Sequence, residues 1–118
     1  SKKPVQSNLE KPKQTQEPQR QAIEDIKRLG KKYTNLPEDK RLKAREEILA
    51  LAKEISYDDL KPLFQTAQKK TGTRIATLLA TSVWLSQGGD RTEELNTFLL
   101  SACQDEDLFL SEEGKRLV

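Results

Sequence analysis

The residues most able to do chemistry lie in the polar stretch QKKTGTR, residues 68–74. This stretch places Lys69, Lys70, two threonine hydroxyls, a glycine and Arg74 directly before an apolar segment. The free N–H groups and the dipole of a helix N-terminus attract anions, so this composition allows a phosphate site. The G-x-x-x-x-G-K order of a Walker loop is absent. The alternative interpretation is a turn between two helices, with Thr71 or Thr73 as a cap.

A second group of cations lies in the predicted second helix, after an earlier basic cluster at residues 27–32. With the cations of the 68–74 stretch, this group forms the predicted anion or nucleic-acid contacts: Lys40, Arg41, Lys43, Arg45, Lys69, Lys70 and Arg74. Such side chains neutralise phosphates. Acidic residues are interleaved with them in the second helix, and charge runs of mixed sign are usually solvated helix faces. Both interpretations therefore stand at this point.

Catalytic and metal-binding patterns are missing from the sequence. The chain has no His and a single Cys, Cys103, which excludes Ser–His and Cys–His pairs and ordinary structural zinc sites. Two carboxylate pairs, Asp58-Asp59 and Glu93-Glu94, fall where helices are expected to begin, and the helix dipole explains them there. We therefore predict no catalytic residue, no cofactor and no metal, and expect that the chain is not an enzyme.

Length and charge indicate one helical domain with a separate N-terminal segment. The 118 residues suffice for a single domain. Residues 1–70 hold 17 Lys and Arg against 11 Asp and Glu, a charge of +6, whereas residues 71–118 hold 4 against 8, a charge of −4. Residues 1–17, rich in Lys, Gln and Pro, predict a disordered basic tail or linker, because they cannot bury enough apolar surface. Residues 18–118 then form the helical domain.

The location and completeness of the chain are expectations from simple features. The longest nearly uncharged run, residues 75–87, is too short to span a bilayer, and no basic-then-apolar leader opens the chain. With the unpaired Cys103 this favours the cytoplasm. The absence of Met and the final residues 112–118, which look like a helix cut short, suggest a piece of a longer protein.

Apolar periodicity predicts five to six helices and no strands. The first runs from Pro18 with Ala22, Ile23, Ile26, Leu29 and Tyr33 on one stripe, and the second follows a cap at Asn35 with Leu42, Ile48, Leu49, Ala52 and Ile55 inward. A third helix opens either with a Ser56–Asp59 capping box or with Asp59 as the cap, which would put Pro62 in the tolerated first turn. It runs to about Lys70 and breaks at Thr71-Gly72-Thr73. A charge-poor fourth helix, Arg74–Gln87, forms the centre of the core with Trp84 beside Leu78, Leu79, Phe64 and Phe98. Gly88-Gly89 ends it, Asp90 caps the fifth helix, and Ser111 caps the last.

A pattern of two acidic residues followed by apolar ones recurs with spacings of 34 and 35 residues. It begins at Glu24-Asp25-Ile26, Asp58-Asp59-Leu60 and Glu93-Glu94-Leu95. A period of this length holds one helix pair, the unit of an α-solenoid. Ordinary amphipathic helices with acidic first turns produce the same pattern by coincidence, so the repeat remains open.

Two families resemble parts of the chain. The stretch LLSACQDED, residues 99–107, is similar to the end of a first HEAT-repeat helix and its acidic turn, although the Pro and Val-Arg that follow in that family are absent. This resemblance implies antiparallel helix pairs that stack and bind proteins. Residues 33–46, YTNLPEDKRLKARE, resemble the helical effector-associated domains of prokaryotic signalling proteins, which recruit partners through domain contacts.

The sequence therefore predicts an all-α fold of antiparallel helix pairs, with a solenoid-like stack as one form of it. The expected function is a non-catalytic protein–protein interaction module, an adaptor or scaffold within a larger protein, whose partner is another protein or domain. The alternative is a nucleic-acid-binding accessory domain that uses the basic N-terminal half. No membrane partner is expected.

Overall fold

The computed structural model describes residues 10–66 and 70–118, and the side chains of residues 20–65 and 70–118. Within these ranges the chain is helical and has no strand, which confirms the all-α prediction. Six α-helices and one 3₁₀ turn follow one another: α1 (Glu10–Lys32), the turn (Tyr33–Asn35), α2 (Glu38–Ala52), α3 (Tyr57–Thr66), α4 (Thr71–Ser86), α5 (Glu93–Cys103) and α6 (Leu108–Leu117).

Helix α1 begins earlier than the sequence predicts. It starts at Glu10 rather than at Pro18, and residues 1–9 of the predicted tail lie outside the described residues. Gln, Glu and Lys are good helix formers, so a segment that cannot build a core can still extend a helix anchored further on. The predicted apolar stripe of α1 is confirmed, because Ala22, Ile23, Ile26, Leu29 and Tyr33 are all buried.

Helix α4, whose only charged residue is Arg74, is the centre of the fold, as its charge-poor sequence predicts. It contacts α1, α2, α3, α5 and α6. Leu78 is 1% exposed, and even the hydroxyl-bearing Thr77 and Thr81 are buried, each donating to the carbonyl four residues earlier at 2.8 Å. These back-bonds satisfy the hydroxyls inside the core. A helix surrounded in this way has little solvated surface, which explains its composition.

The stretch Thr71-Gly72-Thr73 is the first turn of α4 and does not break the chain between helices as predicted. Its structural role is a close crossing with the end of α1. A Cβ atom added to Gly72 would lie 2.1 Å from the carbonyl oxygen of Gly30, and one on Gly30 would lie 3.1 Å from Ala76 Cβ. Only glycines allow the backbones this close. The crossing also brings the C-terminal carbonyls of α1 to the N-terminus of α4, where the helix dipoles attract.

Helices α3 and α5 run side by side in the same direction, and α4 runs antiparallel to both. Tyr57, at the start of α3, is hydrogen-bonded to Glu94 near the start of α5, and Phe64 meets Phe98 further along, with ring centroids 5.5 Å apart. Arg74, at the start of α4, reaches Ser101 near the end of α5. Helix α6 returns along α5, since Arg91 before α5 donates to the carbonyl of Leu117 at 2.7 Å.

Two predicted helix ends are confirmed in detail. Ser56 and Asp59 form a reciprocal capping box, in which each backbone N–H donates to the side chain of the other residue. Because Ser56 is the cap, Pro62 lies inside α3 and not in its first turn. Gly88 has a φ of 85° and closes a Schellman motif: its N–H donates to the Leu85 carbonyl, and the Gly89 N–H donates to that of Trp84.

Four local predictions were wrong. The cap of α2 is Pro37, because Asn35 ends the 3₁₀ turn; the cap of α5 is Thr92 rather than Asp90, and the cap of α6 is Asp107 rather than Ser111. Thr92 and Asp107 each accept the N–H three residues ahead, as a cap should. Leu42 was placed on the inner face of α2 but is 49% exposed.

Trp84 lies beside the core, half-buried, as expected. Its ring neighbour is Tyr57, with centroids 5.2 Å apart, and its indole N–H donates to the carbonyl of Asp90 at 2.9 Å. Phe64 and Phe98, which the sequence predicts beside Trp84, pair with each other. The indole also covers Gly89, where any Cβ would lie 2.1 Å from the ring, so Trp84 holds the turn between α4 and α5.

Candidate functional site

An open groove between the parallel helices α3 and α5 is the strongest candidate site. Its volume is about 570 Å³, within the range of ligand-binding clefts. Helix α4 forms its base. The buried residues that line it, and so form its floor, are Phe64, Phe98 and Arg74 of α4. The exposed residues that line it form its walls: Lys61, Gln65, Glu93, Glu94, Thr97 and Ser101.

Arg74 lies at the inner end of this groove and is 9% exposed. Its Nε donates to Asp105 Oδ2 at 2.9 Å and its Nη2 to Ser101 Oγ at 3.1 Å, while the guanidinium lies over the Phe98 ring, 5.5 Å from the centroid. These bonds use two of the five guanidinium N–H groups, and the described residues supply no acceptor for the other three. A buried Arg in this state is held rigidly and still has donors to offer.

The outer end of the groove is acidic. Tyr57 donates to Glu94 Oε1 at 2.9 Å and is also bonded to the Thr92 hydroxyl. The hydrogen bond from Tyr57 lowers the pKa of the Glu94 carboxyl. Burial raises the pKa of the Tyr57 hydroxyl. Glu94 is therefore ionised and oriented, and Glu93 stands exposed beside it.

The cations predicted to bind anions lie in different environments. Lys40, Lys43 and Lys70 are exposed, and Lys69 lies outside the described residues. Arg41 and Arg45 are half-buried, Arg41 donating to the Leu36 carbonyl at 2.7 Å and Arg45 to the Tyr33 hydroxyl at 3.0 Å. Arg74 is paired with Asp105, as described above. The prediction thus combined exposed lysines with arginines that have internal partners.

These cations do not share one face of α2. Residues two apart on a helix point to nearly opposite sides, so Lys43 and Arg45 face different neighbours. Arg45 covers the ring of Phe109 from α6, 4.9 Å from the ring centroid, whereas Lys43 faces solvent. The exposed Leu42 lies close to Arg45 on the helix surface, one turn before it.

Among the described residues of the predicted phosphate loop, Gly72, Thr73 and Arg74 have structural partners. Lys70 precedes α4 as its cap residue and makes no side-chain cap bond, and the Thr73 hydroxyl donates to the Lys70 carbonyl at 2.8 Å. Neither Thr71 nor Thr73 is a cap, which corrects the alternative interpretation as well. Gly72 is packed against Gly30, so its role in this turn is the helix crossing.

The remaining chemistry of the described residues is limited. Cys103 is free and half-buried at the end of α5. No group of three or more His, Cys, Asp or Glu side chains converges as metal ligands would within the described ranges. In the same part of the chain, every helix is too short or too polar to cross a bilayer.

Comparisons with protein-family models, with curated proteins and with solved structures returned no match. The residues of the site must therefore be interpreted from their own geometry.

The sequence predicted Phe64 and Phe98 only as core residues and did not single out Lys61 and Thr97. One signal for Arg74 was present: it is the single charged residue of α4, and a lone charge in a buried helix needs a partner.

Proposed function

We propose that this chain is a non-catalytic protein–protein interaction module that binds a segment of another protein in the α3–α5 groove. The observation that carries the proposal is the groove floor, where two phenylalanine rings and a rigidly held arginine meet. Arginine is among the side chains that dominate binding energy at protein interfaces, and phenylalanine is enriched in the desolvated centre of such patches. The polar walls match the rim that surrounds such a centre.

A protein partner fits this surface better than nucleic acid does. Stacking a base needs a broad open ring face, and the rings of Phe64 and Phe98, 7% and 5% exposed, offer only a small part of each ring. A single apolar side chain of a protein partner needs only that small contact. The exposed lysines of α2 share their helix with exposed Glu46 and Glu47, which repel phosphates. Nucleic-acid binding through Lys40, Lys43 and Lys70 remains the second candidate because these three side chains are solvent-accessible.

The parallel arrangement of α3 and α5 supports the helical-repeat interpretation. Leu60 and Leu95, which stand 35 residues apart in the aligned copies, are both fully buried, and each follows an acidic first turn. In stacked helix pairs, equivalent helices run parallel and form the binding surface between them. The copy at Glu24-Asp25-Ile26 differs, because it lies within α1 rather than at a helix start. We therefore propose two repeats, α3–α4 and α5–α6, of a HEAT-like kind.

As an adaptor, the module would act within a larger protein in the cytoplasm, where a free Cys103 stays reduced. It needs no cofactor for this role. Its binding energy would come from burying the groove, whose exposed walls include Lys61, Gln65 and Thr97.

A displayed library of random peptides tests the proposal. The groove is blocked by Thr97→Trp, an exposed substitution on the groove wall, and the matched control is Asn96→Trp, exposed on the neighbouring face of α5. We expect peptides that bind the wild-type protein and the Asn96 variant but not the Thr97 variant. Enriched peptides that bind all three proteins equally would contradict a binding groove at this position.

Titration of labelled duplex and single-stranded nucleic acid at about 150 mM salt tests the second candidate. Specific DNA complexes have dissociation constants of about 10⁻⁸ M or tighter. Saturable binding in this range, lost in a Lys40→Ala, Lys43→Ala, Lys70→Ala triple variant, would replace the protein-binding proposal. We expect only weak binding that falls steeply with salt.

A further inference from the structure

Resting on the proposed function, we infer that the α3–α5 groove selects a basic amphipathic helix of its partner protein. This helix would place Lys or Arg against Glu93 and Glu94, an apolar side chain over Phe64 and Phe98, and its C-terminal carbonyls at Arg74. The two ends of the groove differ in charge, and this difference gives the partner both its composition and its direction.

The outer end of the groove requires positive charge. Glu93 and Glu94 form the first turn of α5 and line the wall, both exposed, while Lys61 on the α3 wall offsets one of the two charges. Asp58 is also exposed at the start of α3, which lies against the start of α5 through the Tyr57–Glu94 bond. A cation from the partner would be attracted to this end, and a carboxylate repelled.

The inner end requires hydrogen-bond acceptors without added negative charge. The Asp105 carboxylate, 2.9 Å from Arg74 Nε, already neutralises the guanidinium. A carboxylate from the partner would therefore find no unpaired positive charge there. The three N–H groups of Arg74 without a described acceptor sit in a largely buried position, where an unmade hydrogen bond is costly. Main-chain carbonyls satisfy these donors, and the last turn of a helix carries four that have no partner of their own.

The distance between the two ends suits a helix. Glu94 marks the outer end and Ser101 the inner end. They are seven residues apart on α5, or about 10 Å along the helix axis. About two turns of a partner helix span this distance. Its positive N-terminal end would then face Glu93 and Glu94, and its negative C-terminal end would face Arg74, so that the partner dipole runs parallel to α3 and α5.

Designed peptides of matched apolar pattern provide the test. Three helical peptides of about 15 residues share the same leucine stripe and differ in the other positions: one carries Lys, one Glu, and one Gln. We expect the wild-type protein to bind the Lys peptide more tightly than the Gln peptide, and the Glu peptide most weakly. The preference should weaken as salt rises, because exposed charges are screened.

A charge reversal separates this inference from the general proposal. Glu93→Lys should weaken binding of the Lys peptide and strengthen binding of the Glu peptide, each by about 2- to 5-fold, the size typical of an exposed charge pair. Glu112→Lys, an exposed substitution on α6, is the matched control and should leave the ranking unchanged. Preference for the Glu peptide, with binding still blocked by Thr97→Trp, would overturn the basic partner and keep the groove.

Two further outcomes complete the test. If Thr97→Trp leaves binding of every peptide unchanged, or no peptide binds, the groove itself is wrong and the proposed function fails with it. For direction, a nitroxide on the N-terminus of the Lys peptide should broaden the amide signals of Glu93 to Leu95, and one on its C-terminus those of Arg74 and Ser101. The reverse pattern would overturn the placement of carbonyls at Arg74.

Discussion

Tyr57 donates a hydrogen bond to Glu94 at 2.9 Å, and this bond joins the first turn of α3 to that of α5. The two residues are 37 positions apart in the sequence. Because the Tyr57 hydroxyl donates its only hydrogen to Glu94, its oxygen accepts a hydrogen bond from the Thr92 hydroxyl. The Thr92 oxygen in turn accepts from the Leu95 N–H. The chain of bonds thus couples the cap of α5 to α3, and it sets the width of the groove at its outer end.

Removing the Tyr57 hydroxyl should loosen this end. Tyr57→Phe keeps the ring against Trp84 and removes the bonds to Thr92 and Glu94, so we expect a loss of about 1 kcal/mol in the free energy of unfolding. Urea denaturation measures it. In a double-mutant cycle, Glu94→Gln should cost less in the Tyr57→Phe background than in the wild type. Strictly additive effects would mean that the bond does not stabilise the fold.

Alkaline pH should destabilise the wild-type protein more than the Tyr57→Phe variant. Burial raises the pKa of Tyr57 above its ordinary value of 10.0, so the folded state retains a proton that the unfolded state loses. The contribution of this group to stability is complete below pH 10 and is lost as pH rises through the folded pKa. Unfolding free energies at about pH 8 and about pH 11 measure the difference. Equal losses of unfolding free energy between the two pH values in the wild type and the Tyr57→Phe variant would contradict the prediction.

The glycine crossing of α1 and α4 should not tolerate a methyl group. Gly→Ala in a helix interior normally stabilises by about 1 kcal/mol. At Gly72 the new Cβ would lie 2.1 Å from the Gly30 carbonyl oxygen, so we expect Gly72→Ala to destabilise by roughly 1–3 kcal/mol or more. Thermal unfolding followed by circular dichroism tests it. Ser86→Ala, at the exposed end of α4, is the control for propensity, and a Gly72 variant as stable as the wild type would refute the crossing.

Breaking the Arg74–Asp105 pair should cost more than a surface ion pair. Fully buried pairs lose about 3–5 kcal/mol when one partner is removed. The Asp105 side chain is 20% exposed, so we expect roughly 2–3 kcal/mol for Asp105→Asn in urea denaturation. Glu113→Gln is the matched control, because its partner Arg116 is 63% exposed, and its effect should be below about 1 kcal/mol. Equal effects of the two variants would show that Arg74 is not held by Asp105.

Features set by neighbouring residues could be predicted from the sequence, and those set by distant ones could not. The charge-poor pattern of α4, the Ser56–Asp59 box and the Gly88-Gly89 end all depend on residues within a few positions, and all are confirmed. The caps of α5 and α6 were displaced because several Asp, Ser and Thr residues compete near each helix start. Packing selects among them, and the sequence alone does not rank them.

The groove depends on long-range contacts and was therefore missed. Arg74 looks like an anion-binding residue next to Lys69 and Lys70, but its partner Asp105 lies 31 positions away. Gly72 looks like a helix breaker until Gly30 is known to lie against it. Phe64 and Phe98 were correctly predicted to be buried, yet nothing local indicates that both line a common opening between two parallel helices.

The central claim is that the α3–α5 groove binds a protein segment, and an amide NMR titration tests it most directly. The isotope-labelled chain is titrated with a peptide selected from the random library, and the same peptide is added to the Thr97→Trp and Asn96→Trp variants. We predict saturable shifts at Lys61, Thr97 and Ser101, present in the Asn96 variant and absent in the Thr97 variant. Shifts centred instead on Lys40 and Lys43 of α2, and unchanged by Thr97→Trp, would contradict the claim.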